Sequence, residues 1–173
     1  MDEPSLELTT QTAALASAAD ALDSAGLAHW FFGGWAVDLW VGRLTRPHDD
    51  IDVLVQRSDE ARVAAALAAA GWVHTPHDDD LVGTTYAGDG YELQLTFVEV
   101  DEDGRVVVRV PGDPIVVSHG PLAHASRPLG HLRVRVLTLD TLIEGKTVPR
   151  PDDAGGGKDR ADLAALRSIA DRP

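Results

Sequence analysis

Two short stretches carry the residues most able to do chemistry: Phe32-Gly33-Gly34-Trp35 and, beyond a charged loop, Asp50-Ile51-Asp52-Val53. In an extended strand, side chains two apart share a face. Asp50 and Asp52 then point together, while Ile51 and Val53 point to the core. Two carboxylates held so close repel each other unless a proton or a divalent cation sits between them. Magnesium prefers oxygen ligands and is commonly bound by one or two carboxylates plus substrate phosphates. The glycine pair supplies the complement, because a Gly-Gly turn entering a helix lets backbone N–H groups approach phosphate oxygens closely. An isolated Asp-x-Asp is usually a solvated loop, and a lone Gly-Gly says less still. Their ordered combination across strand, turn, helix, loop and strand is far more specific.

These residues need elements to hold them. Apolar positions at Leu8, Ala14, Leu15, Ala18, Ala19 and Leu22 predict a helix over Ser5 to Ala25, closed by Gly26. Leu27 to Phe32 reads as a buried strand, Trp35 to Val41 as a short helix stopped by Gly42, and Ile51 to Val55 as a second strand. Ser58-Asp59-Glu60-Ala61 is close to a capping box, and Gly71 ends the Ala-rich helix that follows. Leu81 to Ala87 and Tyr91 to Val100 flank Gly88-Asp89-Gly90 as a hairpin, and Arg105 to Val110 forms a further strand. Pro, Gly and His dominate from there to Gly130. His131 to Leu137 is a strand, Thr138 or Asp140 caps a helix to Lys146, Val148 to Gly157 is a loop, and Lys158 to Ala170 is the last helix. The order gives an α+β or mixed α/β pattern around one sheet.

At 173 residues the chain has the size of one domain, and 44% hydrophobic with 25% charged residues is ordinary for a globular protein. The absence of cysteine excludes disulfides, thiolate zinc sites and a Cys nucleophile. No apolar run approaches a bilayer span, and MDEPSLELTT carries neither the basic nor the apolar region of a secretory signal, so a cytoplasmic location is expected without a membrane partner. Fifteen Lys and Arg against 28 Asp and Glu give a net charge of −13, which argues against a duplex-DNA binder and favours a cationic partner.

Gly33-Gly34-Trp35-Ala36-Val37-Asp38-Leu39-Trp40, followed by Gly42-Arg43-Leu44-Thr45-Arg46-Pro47-His48-Asp49-Asp50-Ile51-Asp52, resembles the signature of small antibiotic nucleotidyltransferases. The resemblance is closest to the aminoglycoside 2''-adenylyltransferase family and extends to the lincosamide nucleotidyltransferases, within the DNA polymerase β-like superfamily. Lys158-Asp159-Arg160-Ala161-Asp162-Leu163 is similar to the start of that family's late helix. The resemblance implies a minimal nucleotidyltransferase fold: α+β, one domain over 1–173, a mixed sheet with helices packed mainly on one side. It also implies transfer of a nucleoside monophosphate, AMP from ATP, to a hydroxyl of a small molecule, with release of pyrophosphate. By that analogy Asp50 and Asp52 hold Mg²⁺, Gly33 and Gly34 cradle the phosphates of ATP or another NTP, and Lys158 contacts phosphate, while Arg46 is a candidate to neutralise the triphosphate or pyrophosphate by its own donor geometry. The acceptor would be a small hydroxylated, cationic molecule of the aminoglycoside kind, or a lincosamide.

The resemblance further implies a third carboxylate on a neighbouring strand. In Tyr91 to Phe97, Leu93, Leu95 and Phe97 alternate as the core face, which leaves Glu92, Gln94 and Thr96 together on the polar face. Glu92 is the candidate metal ligand and proton acceptor. A register placing Gln94 in the cleft would instead leave that acid missing. The alternative to an enzyme is a degenerate relative that binds nucleotide or a partner without turnover. Bland roles compete elsewhere: Arg46 and His48 could pair with Asp38 or Asp49, Lys158 with Asp162, and His77 to Asp80 reads as a solvated acidic loop. The four tryptophans read as packing residues.

Overall fold

In the structure, a computed structural model describing residues 5–148 and 153–171, the elements run in a simple order. They are α1 (Ala13–Ser24), β1 (His29–Phe32), α2 (Gly33–Val41), β2 (Asp50–Gln56), α3 (Glu60–Ala69), β3 (Val73–His74), β4 (Gly83–Gly88) and β5 (Tyr91–Val100). Then come β6 (Val106–Val108), β7 (Ile115–Ser118), β8 (His124–Leu129), β9 (Leu132–Leu137), α4 (Leu139–Thr147) and α5 (Asp153–Ala170). The main path of the sheet is β3-β4-β5-β2-β1-β9-β8, with β6 and β7 extending from the far end of β5. It is mixed: β2 runs parallel to β5 and β1 parallel to β9, while the other pairs are antiparallel.

Alternation builds the core. Ile51, Val53 and Val55 on β2 and Leu93, Leu95 and Phe97 on β5 are buried, while Asp50, Asp52 and Gln94 between them are only half-buried. Trp30, Trp35 and Trp72 are buried as packing residues. The stripe of α1 buries Ala14, Leu15, Ala18, Ala19 and Leu22 as expected, but the helix begins only at Ala13. Leu6 instead bridges Leu129 beside β8, and Thr12 accepts the Thr9 N–H in a turn that precedes the helix.

Other boundaries move for physical reasons. The expected capping box does not form, because Arg57–Asp59 is already a 3₁₀ turn and no side chain caps α3. The hairpin between β4 and β5 closes on Asp89 and Gly90, both at positive φ, which suits a two-residue turn between twisted strands. β8 arises in the stretch read as Pro-rich loop. It sits at the sheet edge, where Pro128 removes no hydrogen bond that a second neighbour needs. Thr138 caps α4 by accepting the Thr141 N–H. The α5 helix starts at Asp153, five residues before the expected Lys158, and takes in Gly155 to Gly157. Residues 149–152 of the expected loop lie outside the described residues. Among the described residues, no helix is long and apolar enough to cross a membrane.

Candidate active site

The β1–α2 junction meets β2 side by side. Phe32 registers with Asp52, and α2 begins at the next residue, Gly33, whose φ of 67° only glycine adopts readily. A Cβ on Gly33 would collide with the Asp52 carboxylate, and one on Gly34 would collide with His48 and Arg46. The two glycines thus let a carboxylate and the α2–β2 loop close onto the helix start. Phe32, Gly33 and Gly34 then form one wall of a cleft of about 390 Å³ that Asp50 and Asp52 also line.

Helix α2 anchors that loop from below. Asp38, fully buried, accepts hydrogen bonds from the Thr45 N–H and hydroxyl through Oδ1, and from His48 Nε2 at 2.6 Å through Oδ2. The His48 ring packs against Trp35 at a tilt of 39°, with centroids 4.6 Å apart. The pairing of His48 with Asp38 holds the loop that ends at Asp50.

The opposite wall comes from α4 and α5. Arg46 makes a bidentate contact with Asp162, Nε and Nη2 each 3.2 Å from a carboxylate oxygen. Lys146 Nζ reaches Asp159 at 2.9 Å and Asp162 at 2.8 Å. Burial works against the charge of Asp162, but hydrogen bonds from Arg46 and Lys146 outweigh it and hold the carboxyl below the usual range. Arg46 is likewise raised, since its pairing with Asp162 outweighs the burial that would lower it. Lys158 stands at the rim, largely exposed, with Nζ 3.9 Å from Asp49.

The structure therefore brings Gly33, Gly34, Arg46, Asp50, Asp52 and Lys158 to one cleft. Glu92 does not line that cleft. Parallel pairing sets Asp50 beside Glu92 and Asp52 beside Gln94, and Gln94 is the residue that lines the cleft. The Glu92 carboxylate is 47% exposed and lies 3.3 Å from His77 Nε2, at the outer end of β5. Lys158 is not joined to Asp162 in the i,i+4 pair weighed from sequence; Asp162 serves Arg46 and Lys146 instead. The acidic loop is partly structural, since Asp80 accepts the His77 N–H and the Thr85 hydroxyl, whereas Asp78 and Asp79 are exposed.

Lys146 and Asp159 were missed. Lys146 looks in sequence like a lysine placed to complement the end of a helix. Only the packing of α4 on α5 turns it toward the cleft.

Among the described residues, no group of three or more His, Asp or Glu side chains converges on one point. Asp50 and Asp52 alone still fit magnesium, a hard cation that keeps water and phosphate oxygens in its sphere rather than demanding an all-protein cage.

The family model for aminoglycoside-2''-adenylyltransferase matches residues 14–166. A 2''-aminoglycoside nucleotidyltransferase of Escherichia coli is 47% identical over 63 residues, and so is one of Klebsiella pneumoniae. That match covers 36% of this chain, and it spans 36% of those relatives' length. In fold, the chain is similar to the lincosamide antibiotic adenylyltransferase LnuA, solved with lincomycin bound, at TM-score 0.68 and 16% identity over 95% of this chain and 99% of that one. It is also similar to ANT(2'')-Ia in complex with adenylyl-2''-tobramycin, at TM-score 0.64 and 22% identity over 94% of each chain.

Proposed function

Since the chain belongs to the aminoglycoside-2''-adenylyltransferase family, we propose that it is a Mg²⁺-dependent nucleotidyltransferase that moves AMP from ATP to a hydroxyl of a small antibiotic-like molecule. The observation that supports this most is the cleft, where the Asp50–Asp52 pair faces the glycine turn on one side and cations on the other. Phosphoryl-type transfer asks chiefly for positioning and charge stabilisation. Asp50 and Asp52 would hold the magnesium, which when bound supplies charge neutralisation at the α-phosphate and leaving pyrophosphate. The chain's own residues do the rest. The backbone at Gly33 and Gly34 approaches the phosphates, while Arg46, Lys146 and Lys158 offer N–H donors along the phosphate chain. Gln94, beside Asp52, can orient a hydroxyl but cannot take its proton at neutral pH.

A polycationic sugar suits a chain of net charge −13, and a lincosamide is the other acceptor class that the neighbours suggest. The reading takes residues 1–173 as one nucleotidyltransferase domain working in the cytoplasm, where ATP is at hand. Calorimetry tests the nucleotide half. ATP binding should require Mg²⁺ or Mn²⁺, and Asp50→Asn or Asp52→Asn should remove that requirement along with transfer. The same ATP affinity in chelator, in the wild type and both variants, would overturn the reading.

A further inference from the structure

Asp162 lies on α5 with its side chain only 2% exposed, yet both its oxygens are committed to cations from other elements: Arg46 from the α2–β2 loop and Lys146 from α4. Arg46 uses Nε and Nη2 on Asp162 and Nη1 on the Pro47 carbonyl, so two of its five N–H donors stay open. Lys146 spends two of its three on Asp159 and Asp162, which leaves one. Both cations line the cleft, and the Lys146 side chain is only 9% exposed. A long cation without a partner would sample many rotamers, at an entropic cost on binding. One buried carboxylate removes that freedom from two cations at once.

We propose that Asp162 is a positioning residue, which fixes Arg46 and Lys146 so that their open N–H groups meet the phosphate chain of the nucleotide. This rests on the reading of the cleft as a nucleotide site. Plain electrostatics makes the opposite prediction: a carboxylate beside an anion site repels the anion, so neutralising it should tighten ATP binding.

The test compares Mg·ATP with adenosine by calorimetry, in the wild type, Asp162→Asn and Asp162→Glu. Positioning expects Asp162→Asn to weaken ATP at least about tenfold, roughly the worth of one charge-assisted hydrogen bond, and to leave adenosine unchanged. Asp162→Glu keeps the charge but shifts it by a methylene. It should weaken ATP several-fold with adenosine again unchanged, and it carries the test if the Asn variant does not fold. Unchanged or tighter ATP binding in the folded variants, or an equal loss for ATP and adenosine, overturns the proposal. Wild-type protein that binds no Mg·ATP would overturn the nucleotide reading itself, a result distinct from wild-type binding to which Asp162 is indifferent.

Discussion

A hydroxyl attacking an α-phosphorus loses its proton as the new bond forms, and Gln94 is the β5 residue that stands beside Asp52 where a base would serve. A positioned carboxylate typically contributes 10²–10⁴-fold to such a step. Gln94→Glu should therefore raise kcat, by about tenfold or more, while Glu92→Gln should leave it nearly unchanged. Pyrophosphate release under saturating substrates measures both, and a collapse in Glu92→Gln with no gain in Gln94→Glu would reverse the assignment. Asp50 and Asp52 are legible in sequence because the two-residue period of a strand sets their common face within one short segment. The third position is not legible. Alternation shows that Glu92, Gln94 and Thr96 share a face, but which of them meets Asp52 depends on the register of two parallel strands far apart in sequence. His29 offers a separate test by pH. It is fully buried on β1, its Nδ1–H donates to the Leu27 carbonyl at 2.8 Å, and burial holds the imidazole below its ordinary value of 6.5, although Leu27 and Asp23 pull the other way. The unfolded chain takes up a proton near pH 6.5 and the folded chain does not. Stability should thus fall as pH drops below about 6.5 and level off only below the folded value. His29→Asn, whose amide can still reach the Leu27 carbonyl, should lose about 1–2 kcal/mol at neutral pH but show a flatter decline in urea midpoint between pH 7 and 5. An unchanged decline would clear His29 of the effect.

The junction of β1 with α2 is the element on which the site depends. Gly33 has both a positive φ and a neighbour, the Asp52 carboxylate, that fills the space of a Cβ. Gly26 has a similar φ of 64° and nothing within 4 Å. Gly26→Ala should therefore cost only backbone strain, about 1–2 kcal/mol, with kcat intact. Gly33→Ala should cost that strain and also displace Asp52, with transfer falling by about 10²-fold or more, as small misplacements in such sites do. Equal activity in the two variants would show that Asp52 tolerates displacement. The elements flanking this junction could be read from local signals: Gly42 ends α2, Asp89-Gly90 turns the hairpin, and Thr138 caps α4. Others could not. Ser58 gives way to a 3₁₀ turn, β8 is a strand only because β9 pairs with it, and the glycines before Lys158 are helical because α5 packs against α2 and α4. In the last two, a tertiary partner decides against the local preference.

The chain carries a net charge of −13, yet one wall of its cleft presents Arg46, Lys146 and Lys158, which on the proposed function would meet an anionic nucleotide. Asp78, Asp79 and Glu92 are exposed outside the cleft, and on the proposed function they would attract a cationic acceptor. Attraction of the latter kind reaches only ~8 Å at physiological ionic strength, so the acceptor is best sought at low salt. The most direct measurement of the central claim is transfer itself. The protein is incubated at low salt with Mg²⁺, ATP labelled at the α-phosphate, and a panel of aminoglycosides and lincosamides, beside Asp52→Asn. The account predicts label on at least one acceptor with one pyrophosphate released per product, and neither in Asp52→Asn. No labelled product from any acceptor, or undiminished transfer by Asp52→Asn, would contradict it.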